Sequence, residues 1–484
     1  MPRRQTPWSA LLLLHGSLVV LTIGCADVTA LRRDVVSARQ RRFEAWRQEV
    51  AGIGGDRAVI EGDLSISDCV RIGLANSRTI RRVLQERIRA DARLQEAWAE
   101  AFPEIVAGAT YTRLDKTPRT NGIRVGSINN YGVDGTITQP LWRGGAISAG
   151  IRASALYLIQ TDELVRSTFQ QVLYEIRKAY LDARLAFDLQ EAARQSVEAS
   201  ARALEDVRRD REVGLAADFD VLRAEVQLKN FQAAYVQAQN RYHLALSALL
   251  NTMNVSQESQ VRLSDALAYR PFAPEMERAV EAALTRHPDL LQKEYAVRIQ
   301  KEVVTVEKSG FYPRLDAFIT GRVARPDPHK PADKSFGSEA YGGIAATYKV
   351  FEGFRTVARV RQAKATMRQA EEDLRLAEER ILLDIRQAIL SIEDAARFVE
   401  SQEANVAQAE EALRLVELGR RQGIRRDVEV LDAESALDTA RANYAQAVYD
   451  HEIARLNLEK AMGALEPPPD VPVPVPPPEG PLFP

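Results

Sequence analysis

From residue 360 the apolar positions step by three and four: Val360, Ala363, Met367, Ala370, Leu374, Ala377 and Ile381. The rhythm resumes at Ile385, Ala388, Ile392, Ala395 and Val399 and runs on to Ala409, Leu413 and Val416. This is a heptad seam with one four-residue slip, and it predicts a single long packed helix. No proline interrupts 355–422. Alanines recur along the seam, so a neighbouring helix can approach closely. The helix is expected to end at Gly423, with a last helix beginning after a cap at Asp427. A helix of about 68 residues extends roughly 100 Å, and helices of about 35 residues extend roughly 52 Å. Two short helices end to end therefore match one long one.

Elsewhere the period drops to two. Pro103 opens the stretch EIVAGATYT, a polar loop TPRTNG follows, and YGVDGTITQ runs to a turn at Gly144. Pro313 opens RLDAFITGR, then come RPDPHKPAD and AYGGIAATYKV, ending at Gly353. Each set predicts a β-hairpin. Small residues, tyrosines and β-branched residues alternate with polar ones, as in a membrane β-barrel strand with one face to lipid and one to water. A small soluble hairpin is the other reading.

The two hairpins belong to one duplication. GLAADFDVLRAE at 214–225 repeats as GIRRDVEVLDAE at 423–434. LANSRTI at 74–80 matches LTRHPDL at 284–290, and AFPEI at 101–105 matches FYPRL at 311–315. QPLWRGG at 139–145 matches KVFEGF at 349–354. Each half reads as a helical segment (67–101 or 275–310), a hairpin, a long helix and a shorter helix. The first repeat spans 64–265 and the second 266–463. Four strands and long seams in one chain can neither close a barrel nor bury every seam, which predicts an oligomer.

Composition narrows the function. Among 484 residues, 65 basic side chains stand against 67 acidic ones, so there is no basic field for nucleic acid. Two cysteines, Cys25 and Cys69, make neither a disulfide framework nor a zinc site, and five histidines lack metal-ligand spacing. No Ser/His/Asp set or phosphate-binding glycine loop is present, so neither an enzyme nor a cofactor is expected. Cys69 is expected as a small buried hydrophobe.

Arg3 and Arg4 precede an apolar run at 10–23 that is too short to span a bilayer and suits a signal peptide, residues 1–24. It ends in LTIGC, which resembles a bacterial lipobox with Thr22 in place of the usual leucine, making Cys25 the candidate lipidation site. Cleavage after Val28-Thr29-Ala30 is the alternative. Ala26 after the cysteine resembles lipoproteins passed to the outer membrane. Residues 25–63 read as a linker, and the proline-rich 464–484 as a disordered tail.

With the duplication, the QPLWRGG and KVFEGF turns, the paired G-x-x-x-D-x-x-VL-x-AE tips and the closing LNLEKAMGAL, the chain resembles the TolC-like outer-membrane efflux proteins over about 64–463. The resemblance implies a mainly α fold with a small β part. Each chain of a homotrimer would give four strands to a transmembrane β-barrel, above a long α-helical coiled-coil barrel in the periplasm. It implies a passive exit duct of a tripartite efflux pump or type I secretion system. Partners would be a periplasmic adaptor (membrane fusion) protein, an inner-membrane pump of RND or ABC type, and outer-membrane lipid. The rival reading is a soluble periplasmic coiled-coil adaptor or scaffold, against which the paired hairpins count.

The resemblance also carries site residues. Inward-facing carboxylates at the periplasmic constriction fall on Glu429 and Asp432, the arginine that helps hold it closed on Arg425, and a first-copy acid of that network on Asp220. Glu429 is longer than the family's usual aspartate, and Arg420 stands where a tyrosine is common. Asp218 and Asp427 read as helix caps. Arg223 occupies the first-copy place of Asp432.

Overall fold

The computed structural model describes residues 28–50 and 58–467, apart from 118, 121–122, 125, 215, 331–332, 423 and 426. The expected signal segment, Cys25, Gly423, the side chain of Asp427 and most of the proline-rich tail lie outside the described residues.

The first elements are α1 (Val28–Val50), β1 (Glu61–Leu64), α2 (Ile66–Asn76), α3 (Arg78–Ala99), β2 (Glu104–Arg113), β3 (Asn129–Trp142), α4 (Ala146–Glu212) and α5 (Asp218–Thr252). Then follow β4 (Gln260–Leu263), α6 (Met276–Arg286), α7 (Pro288–Lys308), β5 (Arg314–Arg325), β6 (Gly337–Thr347), α8 (Arg355–Arg421) and α9 (Asp427–Ala461). The second set repeats the first, as the duplication predicts. The chain divides into two compact units. The smaller comprises the residues up to Asp63 together with 254–262. In it Ile60 N donates to Ser259 Oγ at 3.1 Å, and Ser256 N donates to Ala58 O at 3.0 Å. These bonds flank the short ladder of β1 with β4.

The larger unit carries the long helices and the main sheet. Where the sequence predicts one continuous segment before each hairpin, the structure shows two helices. Ser77, at φ −60° and ψ 117°, ends α2, and its hydroxyl accepts from Ile80 N to start α3. His287, at φ −64° and ψ 120°, plays the same part between α6 and α7, its Nδ1 accepting from Asp289 N. Pro288 pushes the preceding residue out of helical space, and the capping side chain restarts the helix.

The main sheet has the order β2-β3-β5-β6, antiparallel throughout, so the two hairpins join through β3 and β5. Register sorts its two faces. Val133 lies across from Ala109 and Val323, and Ile137 lies across from Ile105 and Ile319. Ile105, Val133 and Ile319 are all exposed on this apolar face. On the opposite face the Thr136 and Thr320 hydroxyls meet at 3.0 Å. Asp134 lies across from Arg322, and Arg322 pairs with Glu339 at 3.7 Å. One face is apolar and open while the other is polar, which is the inverse of a soluble sheet packed on a core.

The sheet hands the chain to the helices through left-handed turns: Gly144 and Gly145 at φ 59° and 84°, and Gly353 and Phe354 at φ 65° and 60°. Each of α4 and α8 is 67 residues, roughly 100 Å of helix. α8 packs against α7 and α9, and α4 against α3, α5, α7 and α9. The predicted seam is the buried face of α8: Val360, Ala363, Ile381, Ile385, Ala388, Ile392 and Val399 are buried, and Ala283, Leu290, Ala454 and Leu458 close over its middle. A second row on α8, Leu376, Leu383 and Leu390, keeps a strict seven-residue spacing and stays exposed. Cys69 is fully buried as expected, and burial pushes its thiol up to about 12, so it packs as a neutral apolar group.

Candidate functional site

The candidate residues sit where the long helices turn back. In the first copy, α4 gives way at Gly214 (φ 78°), and α5 starts behind Ala217. The expected cap at Asp218 is corrected here: Ala217 holds the cap position, and Asp218 instead pairs with Arg211 at 2.5 Å. The capping carboxylate is that of Asp220, which accepts from Ala217 N at 3.0 Å. Three residues into a helix, an acid can reach back to the free amides of the first turn and meet the positive end of the helix dipole.

In the second copy the carbonyl of Gly419 accepts from Ile424 N at 2.9 Å and Arg425 N at 3.2 Å, folding the chain back over the end of α8. Arg425 then reaches Glu429 with a 2.6 Å bond from its guanidinium. Gly419 makes room for this path, since a Cβ there would stand 2.5 Å from Arg425 Cγ. At the tips, two ion pairs among the described residues cross between the copies. Arg420 of α8 holds Asp206 of α4 at 3.0 Å, and Arg223 of α5 faces Asp432 of α9 at 3.7 Å. The one charge reversal between the duplicated tips thus becomes an attractive contact between them.

The structure therefore joins Glu429 with Arg425 and Asp432 with Arg223, while the bond it shows for Asp220 is the local cap. Sequence reasoning missed Gly419, Asp206 and the part played by Arg223. A glycine two residues before the helix ends at Arg421 was the available signal for the first, and the charge reversal at aligned positions for the last. The tip pairs are partly exposed, and such pairs contribute about 0–1 kcal/mol each.

Deeper in, Glu434 of the repeated motif lies near Asp438 and Glu417. Burial first, then those two carboxylates, push its carboxyl above the ordinary range against the pull of Arg202 and Arg420. Burial likewise raises Asp438, opposed by its hydrogen bond from Ser196. Among the described residues no group of three or more His, Cys, Asp or Glu is placed to hold a metal ion. No helix among them is long and apolar enough to cross a membrane.

Both copies of the duplication match the family described as Outer membrane efflux protein, over residues 71–255 and 279–464. The chain is 25% identical over 385 residues to the outer membrane efflux protein BepC of Brucella suis biovar 1, covering 78% of this chain and 81% of that one. It is 25% identical over 407 residues to the outer membrane protein TolC of Escherichia coli K12, covering 80% and 79%. To the alkaline protease secretion protein AprF of Pseudomonas aeruginosa it is 23% identical over 334 residues, covering 68% and 69%. Among solved structures, the outer membrane protein VceC of Vibrio cholerae superposes with a TM-score of 0.72 at 16% identity, over 82% of this chain and 96% of that one.

Proposed function

Because the chain belongs to the outer membrane efflux protein family, we propose that it works as a homotrimeric, passive exit duct fed by an inner-membrane pump through a periplasmic adaptor. The observation that carries the reading is the sheet. Its apolar face is open, and its outer strands β2 and β6 each have an unpaired edge. In lipid, unpaired backbone edges are untenable, so such a sheet must close with others. Three chains of four strands give one twelve-stranded barrel, with the apolar face to lipid and the Asp134–Arg322–Glu339 row to water. The long helices continue below it as a tube in the periplasm, their open heptad faces meeting between subunits.

The tips form the periplasmic constriction in this reading. Glu429 and Asp432 of three chains place six carboxylates around one axis, a field that favours cations and binds multivalent ones. Arg425 and the pairs Arg420–Asp206 and Arg223–Asp432 hold the resting tip closed, and Asp220 keeps the first-copy tip in register. Val213, Phe219, Leu222 and Ile424 are exposed at the tips and offer apolar surface to the adaptor. The pump is of RND or ABC type, since relatives include both an efflux protein and a protease secretion protein. Acylation of Cys25 adds a tether to the outer membrane beside the barrel.

The test is the mass of the complex extracted from outer membranes in mild detergent. Three copies of the chain support the duct. A stable monomer in detergent-free buffer overturns it.

A further inference from the structure

At the helix end of the sheet, a cavity of about 460 Å³ opens between the end of α7 and the start of α8. It is lined by apolar and aromatic side chains, Phe311, Tyr312, Val357 and Val360, together with the cations Lys308, Arg361 and Lys364. Val357, Arg361 and Lys364 are four and three residues apart, so they share one face of α8. None of the three cations has an ion pair or side-chain hydrogen bond among the described residues.

The charge here extends beyond the cavity and has no local structural reason. Residues 355–370 hold Arg355, Arg359 and Arg368 besides Arg361 and Lys364, and no acid. Of these only Arg355 lies in the first turn of α8, where a cation opposes the helix dipole. The duplicated stretch at the start of α4 carries Arg152 alone, and that charge is neutralised by Glu302 at 2.7 Å. The excess is thus specific to the second copy, and within it the cavity cations Arg361 and Lys364 have no partner among the described residues.

The level of the cavity says which anion. Tyr312 packs edge-on against Trp142, at the end of β3, with ring centres 5.7 Å apart. β5 begins at Arg314 and β6 ends at Thr347, so the apolar face of the sheet stops beside this cavity. Tyrosine and tryptophan mark the headgroup layer of a membrane protein, and basic pockets at that depth bind lipid phosphates. We propose that this cavity binds the phosphate of an anionic glycerophospholipid of the inner leaflet, with its acyl chains against Phe311 and the sheet. The proposal rests on the barrel reading given above.

The test reconstitutes the full trimer in vesicles of about three parts phosphatidylethanolamine to one part phosphatidylglycerol. The complex is then re-extracted in mild detergent, and retained lipids are counted by native mass spectrometry. The wild type is expected to keep phosphatidylglycerol in preference to phosphatidylethanolamine. Lys308→Gln with Arg361→Gln and Lys364→Gln should cut that preference about fivefold per charge, on the order of a hundredfold in all, with the trimer intact. Lys308→Arg with Lys364→Arg should keep it. A wild type without headgroup preference overturns the site before any variant is made. So does a triple variant that retains the preference, and so does one that loses the trimer, because the block would then be a subunit contact. Failure of the wild type to enter vesicles at all would instead strike the barrel reading.

Discussion

The exposed leucines of α8 give the strongest handle on assembly. Leu376, Leu383 and Leu390 are 63%, 53% and 52% exposed in the single chain, although they repeat every seven residues beside a buried seam. A heptad row of that kind is explained if a helix of the next subunit covers it. Fully burying a leucine contributes about 1.5–3 kcal/mol, and roughly half of Leu383 is still open, so closing it contributes about 1 kcal/mol per interface. A closed trimer has three such interfaces, so Leu383→Ala should weaken it by about 3 kcal/mol, or on the order of a hundredfold in the assembly constant. Leu383→Glu should do more, because it desolvates a carboxylate with no partner. The assay is trimer fraction against temperature in detergent, by native mass spectrometry, with helical circular dichroism as a control on the chain itself. The variant should dissociate at lower temperature while its monomer keeps its helices, since the residue is not in the chain's own core. A Leu383→Glu trimer as heat-resistant as the wild type would refute the placement of this face between subunits.

Three further outcomes follow from the site and the core. Neutralising both tip acids, Glu429→Gln with Asp432→Asn, should lower cation preference and abolish block by divalent or trivalent ions in planar bilayers, whereas loss of Asp220 should alter gating more than block. Gly419→Ala should act like Arg425→Ser and raise conductance, because its methyl would displace Arg425 from the path to Glu429; unchanged conductance in both would detach this pair from gating. His451 is fully buried with no hydrogen-bond partner on either ring nitrogen, and burial, then Arg455, hold it below its ordinary value of 6.5. The folded chain then binds fewer protons than the unfolded one, so stability is whole above pH 6.5 and falls as pH drops from there through the lowered value. Thermal melts of His451→Phe should lose less stability between about pH 7 and pH 5 than the wild type, and equal losses would assign the acid sensitivity elsewhere, His287 included.

The seam of α8 was legible because burial on a helix has a period, and every predicted position from Val360 to Val416 is buried or partly buried in the structure. The hairpins were legible from alternation and from the prolines before them. The pairing of β3 with β5 was not, since register between hairpins depends on residues 173 to 194 apart in sequence and leaves no local pattern. The breaks at Ser77 and His287 were hidden by an apolar rhythm that continues across them, although both capping side chains stand in the aligned motifs. At the tips, the family resemblance pointed to the acids, but their partners are set by how the two copies face each other. Arg223 and Asp432 read as a mismatch in alignment and are a contact in space.

An open-ended path conducts ions where a scaffold does not, and single-channel recording separates the two. Purified wild-type trimer, added to a planar bilayer with no pump, adaptor or nucleotide, should give discrete cation-preferring openings that a divalent or trivalent cation blocks from the periplasmic side. An intact trimer that inserts into the bilayer and passes no ions at any voltage would contradict the account.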